Sequence, residues 1–378
     1  MRSELIPAVF LILLCPSCAK KSDVPSFKAE IVDGVKTVHN FRGDSGAGFK
    51  PVQFMVDLSI GVEEGDEKYM FISPADIDSD RSGKIFVLDS HDDVVKEYDA
   101  RGVFLRQFGR QGQGPGEFQT PSCLRVSDQD EIYVRDYNRI EVFSTRGDYL
   151  KTLPVEGYSN FDLIDNGAVI AEKRTSGKDG AEYVAVARIE LQNQASRELL
   201  SQRVYWPARV MDDDFIYEYP YFVVWGVDSN QRVYAASGAE YGISVYDAGG
   251  NPVLRFTSDD ARAPVAGDEL KKIEAITTRV PNKVVENPFR ARPVYPALKS
   301  ISVDEGDRVW VERYQPRWRK RVNKETVFDV FSAGGVLLFS TQLPRHVYPQ
   351  LKFKNGFIYA LMKNEAGYAS AVRIKMKE

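Results

Sequence analysis

One unit recurs along this chain, and it constrains the fold more than any other feature. The first copy runs from Pro74 as P-A-D-I-D-S-D-R-S-G-K-I-F-V-L-D. A second runs from Pro121 as P-S-C-L-R-V-S-D-Q-D-E-I-Y-V-R-D. Further copies begin at Pro220, Pro296 and Pro349. Each has a proline, an apolar strand, a turn of Asp, Asn or Gly, and then a branched aliphatic residue beside an aromatic one. Those aromatics are Phe86, Tyr133, Tyr234, Trp310 and Tyr359. A degenerate copy, Phe161 to Ala171 (F-D-L-I-D-N-G-A-V-I-A), lies between the second and third. Repetition on this scale marks an architecture built from one supersecondary unit.

The second half of the unit repeats too. Val94 to Leu105, Arg139 to Leu150, Ile243 to Leu254 and Thr326 to Leu337 each read as strand, polar turn, strand. Asp, Ser and Gly turns between alternating strands are hairpin signals. Each unit is therefore two hairpins, or four antiparallel strands. The aromatic content of 12% and the 28 glycines suit strands and turns. One such sheet cannot bury both faces, but six arranged radially can. The expected fold is all-β: a single six-bladed β-propeller with a short helical insertion. Strands within Val35 to Ile60 precede the first unit. They are expected to supply a strand to the last blade and so close the ring between the chain ends.

The linker L-R-Q-F-G-R-Q-G-Q-G-P-G-E-F, Leu105 to Phe118, and the strand-turn-strand ending Ile132-Tyr133-Val134 closely resemble the NHL repeat. Ile77 to Asp89 fits the same repeat. The resemblance covers Phe71 to Leu150 specifically and the later units more weakly. The chain as a whole resembles bacterial six-bladed propeller lipoproteins of the NHL or TolB-like type. That resemblance implies a binding or scaffold protein. Some related propellers are lactonases, hydrolases or lyases with a metal in the central channel.

Leu5 to Leu14 (LIPAVFLILL) is too short to cross a bilayer, which takes about 20 residues. It has the length of a signal-peptide core. Cys18, preceded by the small Ser17 and followed by Ala19-Lys20-Lys21, resembles the lipidated cysteine of bacterial lipoproteins. Cys15 fits less well, because Leu14 precedes it. An ordinary secretory signal or an uncleaved anchor is the competing reading. The expected organisation is a signal peptide over residues 1–17, a lipidated cysteine and polar tether over 18–27, and the propeller over 28–378. The expected location is the bacterial cell envelope, in the periplasm or at the outer membrane. Cleavage before Cys18 leaves Cys123 as the one unmodified cysteine, so no internal disulfide forms.

The net charge of -4 and pI near 5.7 argue against nucleic acid as a partner. Asp76, Asp78 and Asp80 imitate the start of a calcium loop. Arg81 stands where that loop needs glycine and Val87 where it needs glutamate. The three histidines, His39, His91 and His346, show no metal-ligand spacing. No G-x-S-x-G elbow is present, and the glycine-rich linker lacks a G-K-[ST] end. No catalytic constellation, metal or other cofactor is expected from these residues.

In a propeller, the loop into the innermost strand and the loop between strands two and three open on one face. That rim collects Arg110 to Ser122, His91-Asp92-Asp93, Arg135 to Asn138, Glu312 to Glu325, and an insertion from Ser258 to Tyr295. The insertion has helical spacing at Leu270, Ile273 and Ile276. The candidate binding residues are Arg110, Arg135, Tyr137, Arg313, Tyr314, Arg317, Trp318 and Arg319. Guanidinium groups beside aromatics suit anionic or sugar-bearing partners. A solvated loop and a membrane-headgroup contact are the other readings of the segment Glu312 to Glu325. The expected function is a monomeric, non-catalytic propeller that binds a protein or polysaccharide and is held at a membrane by its lipid. A channel-centred, metal-dependent lactonase, lyase or hydrolase is the alternative.

Overall fold

A computed structural model describes residues 27–41, 52–165, 167–178, 182–203, 209–211, 215–218, 223–238, 240–259, 264, 267, 271, 295–314, 317–318, 326–343, 347–363 and 367–377. Its strands form six antiparallel blades, each laid out in chain order from an innermost strand outward. Blade one is Pro74–Ser79, Ile85–Asp89, Val94–Tyr98 and Phe104–Phe108. Blade two is Pro121–Val126, Glu131–Asp136, Arg139–Ser144 and Tyr149–Pro154. Blade three is Tyr158–Asp165, Ala168–Ser176, Glu182–Glu190 and Ser196–Arg203. Blade four is Val223–Val227, Val233–Ser237, Gly242–Tyr246 and Pro252–Ser258. Blade five is Leu298–Val303, Val309–Arg313, Thr326–Phe331 and Leu337–Leu343. Blade six is Val347–Lys354, Phe357–Lys363 and Ala369–Lys377. The helix expected within 258–295 lies almost wholly outside the described residues. A 3-10 turn, Glu67–Tyr69, leads into blade one.

The core is six wedges, one between each pair of neighbouring blades. Strand two of blade one reads I-F-V-L without alternation because both of its faces are buried. Side chains on a strand alternate between faces. Ile85 and Val87 therefore pack with blade six, while Phe86 and Leu88 pack with blade two. The recurring aromatic serves this purpose throughout. Tyr133, Tyr234, Trp310 and Tyr359 each fill the wedge shared with the following blade. In blade three Ile170 fills the corresponding wedge, which is why that copy of the repeat looks degenerate.

The turn aspartates are structural. Asp80 Oδ1 accepts from the N–H groups of Ser82 and Lys84, each at 2.9 Å. Asp228 and Asp304 make the same pair of bonds to Asn230 and Arg232, and to Gly306 and Arg308. Their second oxygens reach the signature aromatics, Tyr234 at 3.1 Å and Trp310 at 2.9 Å. The likeness of D-I-D-S-D to a calcium loop comes from this turn and from bonds along the axis described below.

The segment from Val35 to Ile60 supplies one strand to the last blade, as expected, and its earlier strand goes elsewhere. Gln53–Ile60 pairs antiparallel with Ala369–Lys377 and completes blade six. Arg373, from the C-terminal strand, binds Asp57 at 3.0 Å and the carbonyl of Ala100 in blade one at 2.7 Å. Val35–Asn40 does not join the last blade. With Phe27–Val32 it forms a hairpin laid parallel along Pro252–Ser258, giving blade four six strands. Val38 is buried there in the wedge between blades four and five. Buried Asn40 donates to the carbonyls of Thr257 and Gly335 and accepts from Leu337 N–H at 2.8 Å. The hairpin is thus pinned to two blades by bonds that strand alternation alone does not disclose.

Glycine is required where the turn between strands three and four presses on the preceding blade. Gly147 (φ +82) and Gly335 (φ +80) would each place a Cβ within 3.0 Å of Phe108 and Phe256, respectively. Gly34 (φ +79) has open space around it. Gly335→Ala should therefore cost about 2–4 kcal/mol, from positive-φ strain plus overpacking. Gly34→Ala should cost only the strain, about 1–2 kcal/mol. Urea unfolding of the two variants measures the difference, and equal losses would contradict the packing role assigned to Gly335.

Candidate functional site

Closing six sheets into a ring turns six unpaired strand edges toward one axis. Buried backbone N–H and C=O groups need partners, and polar side chains supply them here. Asp76 accepts from Leu124 N–H and Asp78 from Val126 N–H, at 3.0 and 2.8 Å. Gln350 crosses the axis and donates to the carbonyls of Trp225 and Ile301, both at 2.9 Å. Lys354 donates to the carbonyl of Val126 at 2.8 Å. Arg125, 6% exposed, sits between Asp76 at 2.6 Å and Asp162 at 3.2 Å.

Arg125 and Gln350 border two cavities that succeed one another along the axis. One, about 450 Å³, opens among the short turns between strands one and two and is bordered by Ser127, Gln231 and Lys354. The other, about 330 Å³, opens where the chain enters the innermost strands and is bordered by Ser122, Asn160, Glu172 and Lys299. Both are of the size that holds small ligands. In the second, Lys299 pairs with Glu312, which also accepts from Ser300 Oγ at 2.7 Å. Burial holds the Glu172 carboxyl above its ordinary range, against hydrogen bonds from Ser159 at 3.2 Å and Asn160 at 3.1 Å.

Asp76, Asp78 and Asp162 are committed to N–H groups and to Arg125. Among the described residues no three His, Cys, Asp or Glu side chains converge as a metal would require. His39 lies on the outer hairpin, bonded to Glu30 and Thr257, and His91 lies in a turn of blade one. His346 is outside the described residues. Burial pushes the Cys123 thiol up to about 11, so it is a packing residue rather than a thiolate at neutral pH.

The rim candidates fall on blades two and five, which lie opposite one another in the ring. Arg110 pairs with Glu117 at 2.7 Å inside the glycine-rich linker, which folds around buried Phe118. Arg135 donates to the carbonyl of Tyr158 at 2.8 Å and to Ser122 at 3.0 Å. Tyr137 is 59% exposed at a turn tip. Arg313 grips Asp329 through two bonds of 2.8 Å, and Tyr314 stacks on Tyr295. Arg317–Trp318 forms a short strand against Phe215–Glu218, which also pairs with Arg209–Met211. That pairing joins the blade-five loop to the connection between blades three and four. Arg319 and Cys18 lie outside the described residues.

Of the candidates whose side chains are described, none borders either cavity. Arg125, Glu172, Lys299, Glu312 and Gln350 went unrecognised as axial residues. One signal did point to two of them: Glu172 and Glu312 interrupt apolar runs at the same place in strand two of their repeats.

Residues 67–194 match the DUF5128 family, described as a 6-bladed beta-propeller. The match spans blades one and two and three strands of blade three. No curated protein matches the sequence. Among solved structures, a Bacteroides fragilis protein described as exported aligns at TM-score 0.52 and 13% identity, over 90% of this chain and all of that one. A DUF4221 member from Bacteroides vulgatus aligns at TM-score 0.52 and 12% identity, over 86% and 99%. A virginiamycin B lyase from Staphylococcus aureus aligns at TM-score 0.46 and 11% identity, over 85% and 99%. These likenesses are of fold alone. Among the described residues no helix is long and apolar enough to cross a membrane.

The carboxyl of Glu172 is more basic folded than unfolded. Its contribution to stability therefore falls as pH rises through that raised value, and stays lost above it. Glu172→Gln should raise the melting temperature near pH 7. The gain should vanish below about pH 4, where an unfolded glutamate also takes up its proton. Thermal unfolding of both proteins across that range checks the sign.

Proposed function

We propose that this chain is an exported, lipid-anchored propeller that binds a protein or polysaccharide through the face where the chain enters each blade. The observation that carries the reading is the inequality of the two faces. On one, strands are joined by tight turns such as Asp80–Lys84, Asp228–Arg232, Asp304–Arg308 and Ser332–Val336. At the other the chain leaves and re-enters the blades through the connections 204–222, 259–297 and 314–325, and Arg317–Trp318 of the last pairs with Phe215–Glu218 of the first. Long connections on a rigid scaffold are the usual carriers of recognition. The sequence of the 314–325 connection is rich in cations and aromatics, R-Y-Q-P-R-W-R-K-R from Arg313 onward. Arg110, Arg135 and Arg313 support the face through the bonds given above, while Tyr137 is exposed to meet a partner.

Replacing Trp318 and Arg317 with alanine should weaken capture of the partner from envelope extracts by about 2 kcal/mol or more, roughly thirtyfold. Thermal stability should stay nearly unchanged. A large loss of stability with capture intact would remove these residues from the binding surface.

Anchoring through Cys18 is tested separately. Cys18→Ser should move the protein from the membrane to the soluble fraction on cell fractionation. Release by Cys15→Ser instead, with Cys18→Ser still membrane-bound, would assign the lipid to Cys15.

A further inference from the structure

The cavity among the short turns contains a cation that the fold itself does not answer. Lys352 borders it from the innermost strand of blade six and is half-buried. Its ammonium has no hydrogen bond or ion pair among the described residues. The other cations there are engaged: Arg125 by Asp76 and Asp162, and Lys354 by the carbonyl of Val126 with Asp78 4.0 Å away.

Two of the three acids bordering the cavity are occupied in turn, while the third, Asp128, is exposed to solvent. Asp78 accepts from the N–H groups of Ser79 and Val126, and Asp162 from Leu163 N–H and Arg125. Ser302, 5% exposed, borders the same cavity, and its hydroxyl has no partner among the described residues.

A lysine ammonium offers donors only. Holding it half-buried beside a cavity of about 450 Å³ costs free energy unless an acceptor completes it. The backbone supports a built site. Pairing of the innermost strand of blade six shifts register between Tyr348 and Lys352, an irregularity that lifts Gln350 across the axis as the cavity floor. Bulges of this kind commonly re-aim side chains beside functional sites.

We infer that this cavity binds a small oxyanion, a carboxylate or phosphate group, on Lys352, at the face opposite the proposed partner-binding face. The site is independent of that partner, and its ligand reaches Lys352 through the open ring of short turns.

The test titrates the full-length protein with inorganic phosphate and with citrate, ionic strength being held constant with sodium chloride. At least one should bind saturably in the millimolar range. Lys352→Met should weaken that binding tenfold or more, and Lys352→Arg should hold it within a few-fold. Phosphate binding without citrate, or the reverse, assigns the class of anion. A readout on the unmutated protein guards against a variant that fails to fold. Acetylation of Lys352 by an N-hydroxysuccinimide ester, followed by mass spectrometry, should be slowed by the bound anion, while exposed Lys28 is modified at an unchanged rate. Saturation by neither anion, unchanged binding by Lys352→Met, or no protection of Lys352 would each overturn the site.

Discussion

Every blade of this molecule has an apolar surface on both faces, and such a sheet has no stable free existence in water. Each face must be covered by the next sheet, so the stack ends only when it returns on itself. The pairing of Gln53–Ile60 with Ala369–Lys377 makes that return. It completes blade six and so the wedge where Ile60 and Tyr359 meet Ile77 and Tyr98. The other five wedges depend on the same circuit, because removing any one exposes the faces beside it. With Cys123 buried in a wedge and unpaired, closure does for this ring what a disulfide does for many smaller domains.

Closure also dictates the chemistry of the centre. Six innermost strands present unpaired backbone groups to a narrow space, and aliphatic side chains would leave them unsatisfied. Asp76, Asp78, Gln350 and Lys354 answer those groups, and Arg125 is held by the resulting carboxylates. The axis is therefore polar and obstructed rather than an open apolar channel. Carboxylates that would be metal ligands elsewhere have their lone pairs in use here. What is left over after this satisfaction, Lys352 above all, is where an external group has something to bind.

The two faces then differ in build. One bears tight turns whose Asp side chains cap their own backbone. At the other the chain enters each blade, and a cavity there is bordered by Glu172, Lys299 and Asn160. Several arginines that look free in the sequence are structural. Arg313 is fixed by Asp329 and Arg135 by the carbonyl of Tyr158, so they position the rim more than they extend from it.

The number of blades, the four strands in each, the turn aspartates and the place of the aromatics were all legible in the sequence. They depend on local periodicity and on hydrogen bonds spanning two to six residues, which recur with each repeat. The destination of Val35–Asn40 was not legible, because Asn40 finds its partners at Thr257, Gly335 and Leu337. The meeting of Arg125 with Asp76 and Asp162 was equally hidden, as was the reach of Gln350 to Trp225 and Ile301. A charge interrupting an apolar run can be seen in one strand, but its partner sits on another blade. Pairing across the axis belongs to the closed ring, since only closure brings residues so far apart in the chain within bonding distance.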